Sequence, residues 1–223
     1  MFPNLDNYDS NDVRQLMLYS WHFDLFALKE IIEVTKNTID GSIKQLIKFS
    51  LENTNNPFIN SETMMKVQEY HNIEPLSYQS YLLSLYSVVE AALDRYCLVC
   101  EEKMELKVKL EDLKDKGITR SVTYLEKVVE LEIIKSDNRW GKMKLINELR
   151  NDLIHRCGYI GQDKKIKKYS SELNVEVEGG KIYLLYENIL DIYNYIDKFM
   201  EFVFTRNFTN REKNLLTILN KVE

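Results

Sequence analysis

The chain has 223 residues, 44% of them apolar and 11% aromatic, enough to build the core of one sizeable domain or of a compact domain with an added lobe. Only 7 Gly and 3 Pro against 29% charged residues argue against β-rich or low-complexity architectures and predict long, uninterrupted helices. A net charge of -5 argues against a general polyanion-coating protein, so any nucleic-acid contact has to come from a local basic patch.

Taken in chain order, the first six residues show no basic stretch followed by an apolar run, and no segment approaches the ~18 apolar residues of a membrane span. The expected location is the cytoplasm, with no membrane contact. Ser10-Asn11-Asp12 reads as an N-cap, and Val13, Leu16, Met17, Trp21, Leu25, Leu28, Ile31 and Ile32 recur at helical spacing. Asp40-Gly41-Ser42 is expected to end that helix, with a shorter one over Ile43 to Leu51. Asn53 to Pro57 is the most loop-like stretch, which suggests an N-terminal lobe over 1–74 and a second domain over 75–223.

Pro75 sits where a helix would begin, and Leu76, Tyr78, Tyr81, Leu82, Leu85, Val88, Val89, Ala92, Leu93 and Tyr96 carry that helix through the core. The charged run from Glu101 to Gly117 reads as a solvated helix face, followed by a helix over Val122 to Leu131. Trp140, Met143, Leu145, Ile146, Leu149, Leu153 and Ile154 mark another helix, expected to stop near Gly158. Alternating Leu173, Val175 and Val177, then Gly179-Gly180, then Ile182, Leu184 and Tyr186 predict a β-hairpin. Helical spacing returns over Ile189 to Phe204 and Arg211 to Val222. The predicted fold class is all-α, a helical bundle with a single inserted hairpin near residues 173–186.

Three scattered cysteines, Cys97, Cys100 and Cys157, do not suit a disulfide framework. Cys97 and Cys100 have C-x-x-C spacing, but a zinc site needs a second ligand pair and none is evident, so they read as small apolar side chains on one helix face.

The segment Arg150-Asn151-Asp152-Leu153-Ile154-His155 carries the chemistry. At ~100° per residue, Leu145, Leu149 and Leu153 share one face while Asn147, Asn151 and His155 recur at i, i+4 and i+8 on another, with Arg150 at its margin. With 8 Arg and 3 His in the chain, an Arg-x4-His pair is expected roughly 0.1 times by chance, and roughly 0.01 times with Asn after the Arg. A histidine can move a proton near neutral pH, and a guanidinium fork can neutralise phosphoryl oxygens. No carboxylate cluster accompanies the motif, so neither a metal nor another cofactor is expected there.

The stretch Leu149-Arg150-Asn151-Asp152-Leu153-Ile154-His155-Arg156-Cys157-Gly158 resembles the R-x(4–6)-H motif of HEPN domains (higher eukaryotes and prokaryotes nucleotide-binding), including the polar residue after the Arg that active ribonucleases of that family favour. The likeness extends more loosely over residues 76–205. It implies an α-helical fold, a homodimer that brings two motif copies together, and metal-independent RNA cleavage by attack of the ribose 2′-OH, with Arg150, Asn151 and His155 catalytic. As a toxin or anti-phage effector, the usual employment of the family, the chain would also meet an antitoxin or defence-system partner.

Glu90 and Asn147 are candidate supporting residues, Glu90 by orienting Arg150. Arg156 with Lys164, Lys165, Lys167 and Lys168, read as a lysine-rich loop beyond the motif helix, is the candidate RNA-binding patch. Two competing readings remain open: a non-catalytic HEPN module that binds or senses nucleotide or RNA, and a helical scaffold with no nucleic-acid role.

Overall fold

The computed structural model describes residues 13–161 and 163–208. Among them are six α-helices, α1 (Val13–Glu52), α2 (Pro57–Lys103), α3 (Gly117–Lys127), α4 (Asn138–Arg156), α5 (Asp163–Leu173) and α6 (Tyr186–Phe204), with strands β1 (Glu176–Glu178) and β2 (Lys181–Tyr183) between the last two. The all-α class with one inserted hairpin is therefore as the sequence predicts. The N-cap expected at Ser10-Asn11-Asp12 and the helix expected over 211–222 lie outside the described residues. No helix among the described residues is long and apolar enough to cross a membrane.

Two breaks read from the sequence are absent. Gly41 lies inside α1, because a lone glycine costs a helix only ~1 kcal/mol and the flanking turns are held by buried Ile39 and by Lys36, which contacts Asp40 at 3.0 Å. Pro75 lies inside α2, not at its start. It cannot donate to the carbonyl of His71, yet the helix continues because Lys36 holds Glu74 at 3.3 Å, Tyr78 donates to Glu74 at 3.1 Å, and Tyr78 and Leu82 are fully buried on the following turns. The true start is at Pro57, in the first helical position, where Asn56 Oδ1 accepts from Phe58 N at 3.2 Å and Ile59 N at 3.3 Å. The boundary expected at 74/75 thus falls within a continuous helix.

The run from Glu101 to Gly117 is not a helix face after α2 ends at Lys103. It is a loop with a 3-10 turn at Leu110–Asp112, pinned by buried Leu106 and Leu110 and by Glu101, which accepts from Lys109 Nζ at 2.7 Å and Leu110 N at 3.2 Å. The bond from Lys109 holds the Glu101 carboxyl below the usual carboxylate range.

The described residues divide into two compact units, each built from segments distant in sequence: residues 13–25, 86–145 and 195–208, and residues 26–85, 146–161 and 163–194. The first has an aromatic core in which Tyr96 meets Phe204 edge-on at 5.4 Å and Trp140 lies 6.3 Å from Phe199. Arg139 and Arg206 each lie 3.7 Å from the Phe202 ring centroid. The second buries Ile32, Ile39, Tyr78 and Leu82 with Leu149, Leu153, Tyr169 and Ile182.

Both cysteines of the C-x-x-C pair are buried in the first unit, and Cys97 Sγ donates to the Ser121 carbonyl at 3.4 Å. Burial raises both thiols, Cys100 to about 12. Cys157 is exposed. Titration with a disulfide reagent at pH 8 is therefore expected to count one thiol per native chain and three after denaturation; three in the native state would contradict this packing.

Candidate active site on helix α4

Asp137 starts α4 by accepting from Arg139 N at 2.9 Å, and the helix ends where Cys157 (φ 50°) and Gly158 (φ 80°) turn left-handed in succession. Gly158 N donates to the Asp152 carbonyl at 3.2 Å across that end. The following residues join the hairpin: Ile160 N donates to Gly180 O at 2.7 Å, and Ile182 N donates to Gly158 O at 2.9 Å. The hairpin itself pairs Val177 with Ile182 around Gly179 (φ 55°) and Gly180 (φ 79°), the two left-handed positions a tight two-residue turn requires. Its strands are shorter than predicted because Leu173 belongs to α5 and Tyr186 to α6.

On α4 the leucine face is buried, Leu145 and Leu149 completely and Leu153 to within 6%. Asn147 and Asn151 are half-buried and His155 is exposed, so the polar face is open. Arg150, also half-buried, donates from Nη1 to Asn151 Oδ1 at 2.9 Å, which brings two of the three predicted catalytic side chains together. The last turn carries His155 and Arg156. A helix C-terminus favours cations, so attraction of an anion here depends on the side chains and not on the backbone.

The sequence reading missed Asp152. This carboxylate is 4% exposed and accepts from Tyr169 Oη at 2.8 Å and from Lys165 Nζ at 2.9 and 3.2 Å, with Arg156 Nε at 3.7 Å. Burial and the bond to Asp152 raise the Tyr169 phenol far above its ordinary range. A signal was available: Asp152 lies ~60° from Leu149 on the helical wheel, inside the leucine face, where a charged group needs partners.

The lysine-rich segment is helix α5 and not a loop. Residues one turn apart on it, Lys165 and Tyr169, turn to Asp152, which leaves Lys164, Lys167 and Lys168 exposed to solvent. Lys165 therefore anchors α5 to α4, while the other three and Arg156, with a side chain 51% exposed, form the open basic set.

Glu90 belongs to the first unit and Arg150 to the second. Glu90 lies beside Gly117 (φ 55°), where a β-carbon would come within 2.8 Å of its Oε1. Gly117→Ala is accordingly expected to lower stability by about 1–2 kcal/mol, from the left-handed backbone and the displaced carboxylate; an unchanged denaturation midpoint would contradict it. Three tyrosines in and after the hairpin are tied up within the fold and do not offer free faces for stacking on bases: Tyr186 lies 6.1 Å from Tyr78, Tyr193 is 7% exposed, and Tyr195 donates to Arg139 O at 2.8 Å.

No group of three His, Cys, Asp or Glu donors gathers at the motif among the described residues; the one such group is His22, Asp197 and Glu201 in the first unit. Compared with family models, with curated proteins and with solved structures, the chain finds no match in any of the three.

Proposed function

We propose that this chain is a metal-independent endoribonuclease of the HEPN type, acting in the cytoplasm as a toxin or anti-phage effector and cutting RNA at a composite site between two copies. The observation that carries the reading is the open face of α4, with the Arg150–Asn151 contact at 2.9 Å beside exposed His155.

In this reading the 2′-OH of one ribose attacks the adjacent phosphorus. Its proton passes to His155, the phosphorus–5′-oxygen bond breaks, and a proton is returned to the leaving oxygen, giving a 2′,3′-cyclic phosphate and a free 5′-OH. Arg150, held by Asn151, neutralises the phosphoryl oxygens as charge develops. Arg156 and the exposed lysines of α5 hold the backbone on either side. The second copy would also supply what orients the imidazole, since among the described residues no side chain bonds to His155. Ile154, on the same open face and 40% exposed, favours such a contact.

The test is incubation of purified protein with single-stranded RNA and excess EDTA. Cleavage with cyclic-phosphate ends, and none on DNA of the same sequence, is expected; RNA left intact in EDTA and cut after a divalent metal is restored would overturn the mechanism. The same observation, a histidine with no orienting side chain among the described residues, favours one second reading. A non-catalytic module that binds nucleotide or RNA would retain the ligand and release it unchanged.

A further inference from the structure

In the first unit, α1 and α6 bring together three side chains outside the motif. Asp197 and Glu201 are one turn apart on α6, and His22 on α1 reaches Glu201 Oε1 with Nε2 at 3.3 Å. One donor atom from each of the three lies within 4.8 Å of the other two. The neighbouring Trp21, 1% exposed, donates its indole N–H to Asp197 Oδ1 at 2.9 Å. We propose that His22, Asp197 and Glu201 bind a divalent transition-metal ion of the zinc class that ties α1 to α6.

Geometry, charge and ligand type converge on this. Ligands at ~2.1 Å from a tetrahedral ion stand ~3.4 Å from one another, close to the 3.3 Å between His22 and Glu201. The remaining separations, none above 4.8 Å, close to that spacing by a small side-chain rotation, which a partly open surface permits. Two carboxylates this near each other repel, and a bound cation removes that cost. The Trp21 bond matches the outer-sphere pattern of metal carboxylates, where one oxygen is fixed by a buried donor and the other is left for the ion. Imidazole with two carboxylates suits zinc, manganese or nickel better than magnesium or calcium, which take oxygen ligands alone. The His22 and Glu201 side chains keep 43% and 47% of their exposure, so solvent can complete the coordination. The ion is outside the cleavage chemistry, which needs none.

Metal-depleted full-length protein, titrated with Zn²⁺ by calorimetry and with Co²⁺ by visible absorption, is expected to bind one ion per chain with a raised melting temperature. His22→Ala and Glu201→Gln should each weaken binding by about 10–100-fold and remove the thermal shift. Cys157→Ser and His71→Ala, which remove other exposed donors, should leave binding unchanged. No saturable binding up to about 100 µM Zn²⁺, or an affinity that survives His22→Ala, or one lost with Cys157→Ser, would overturn the assignment.

Discussion

His155→Ala is expected to slow RNA cleavage by about 10²–10⁴-fold, the usual contribution of a positioned acid–base group. Its melting temperature should stay at the wild-type value, because the side chain is exposed. Arg150→Ala should match it in rate. Arg150→Lys should recover little, since an ammonium cannot present two parallel donors to a phosphate while also keeping the Asn151 contact. The measurement is a single-turnover rate on a short RNA, with thermal melts of the same preparations. If His155→Ala cuts at the wild-type rate, the catalytic assignment fails. If neither wild type nor variant cuts, and His155→Ala only weakens RNA affinity, the binding-module reading stands in its place.

The second large effect is on stability. Asp152→Ala removes the acceptor shared by Lys165 and Tyr169 and leaves the phenol of Tyr169, fully buried, without its bond. Breaking such a buried cluster costs about 2–4 kcal/mol, toward the lower end because Lys165 keeps enough exposure to be rehydrated. The expected fall in melting temperature is roughly 5–15 °C. Tyr169→Phe, which leaves the ion pair in place, should cost only about 1 kcal/mol. Equal effects of the two substitutions would mean that the carboxylate contributes nothing beyond the phenol bond. Below its own melting temperature Asp152→Ala should keep part of its cleavage activity, which separates it from the His155 variant.

How much could be read beforehand depends on how local each signal is. The α4 helix, its buried leucine stripe and its left-handed end at Gly158 follow from spacing within one segment, as does the Gly179-Gly180 turn. Gly41 and Pro75 look like punctuation from their identity alone. Whether a helix survives such a residue depends on what its neighbours touch, and Lys36 with Glu74 is a contact across 38 positions. The engagement of Lys165 was illegible for the same reason: four lysines look alike until one carboxylate, thirteen residues upstream, selects which of them turns inward. That Arg150 and Asn151 are adjacent was legible in the sequence, but the bond between their side chains was not, since residues ~100° apart on a helix do not face each other.

The discontinuity of the two units bears on how the chain is made. Trp21 leaves the ribosome 176 residues before Asp197, its hydrogen-bond partner; at ~5–20 residues per second that is a wait of roughly 10–35 s. Trp21 lacks Asp197 through that interval, and Tyr96 lacks Phe204, which follows it by 108 positions (204 − 96). The nascent chain therefore presents an unfinished aromatic core until α6 has been made, and a transcript cut short before the codon for Tyr195 would yield a product fit for chaperone capture or proteolysis and not for activity.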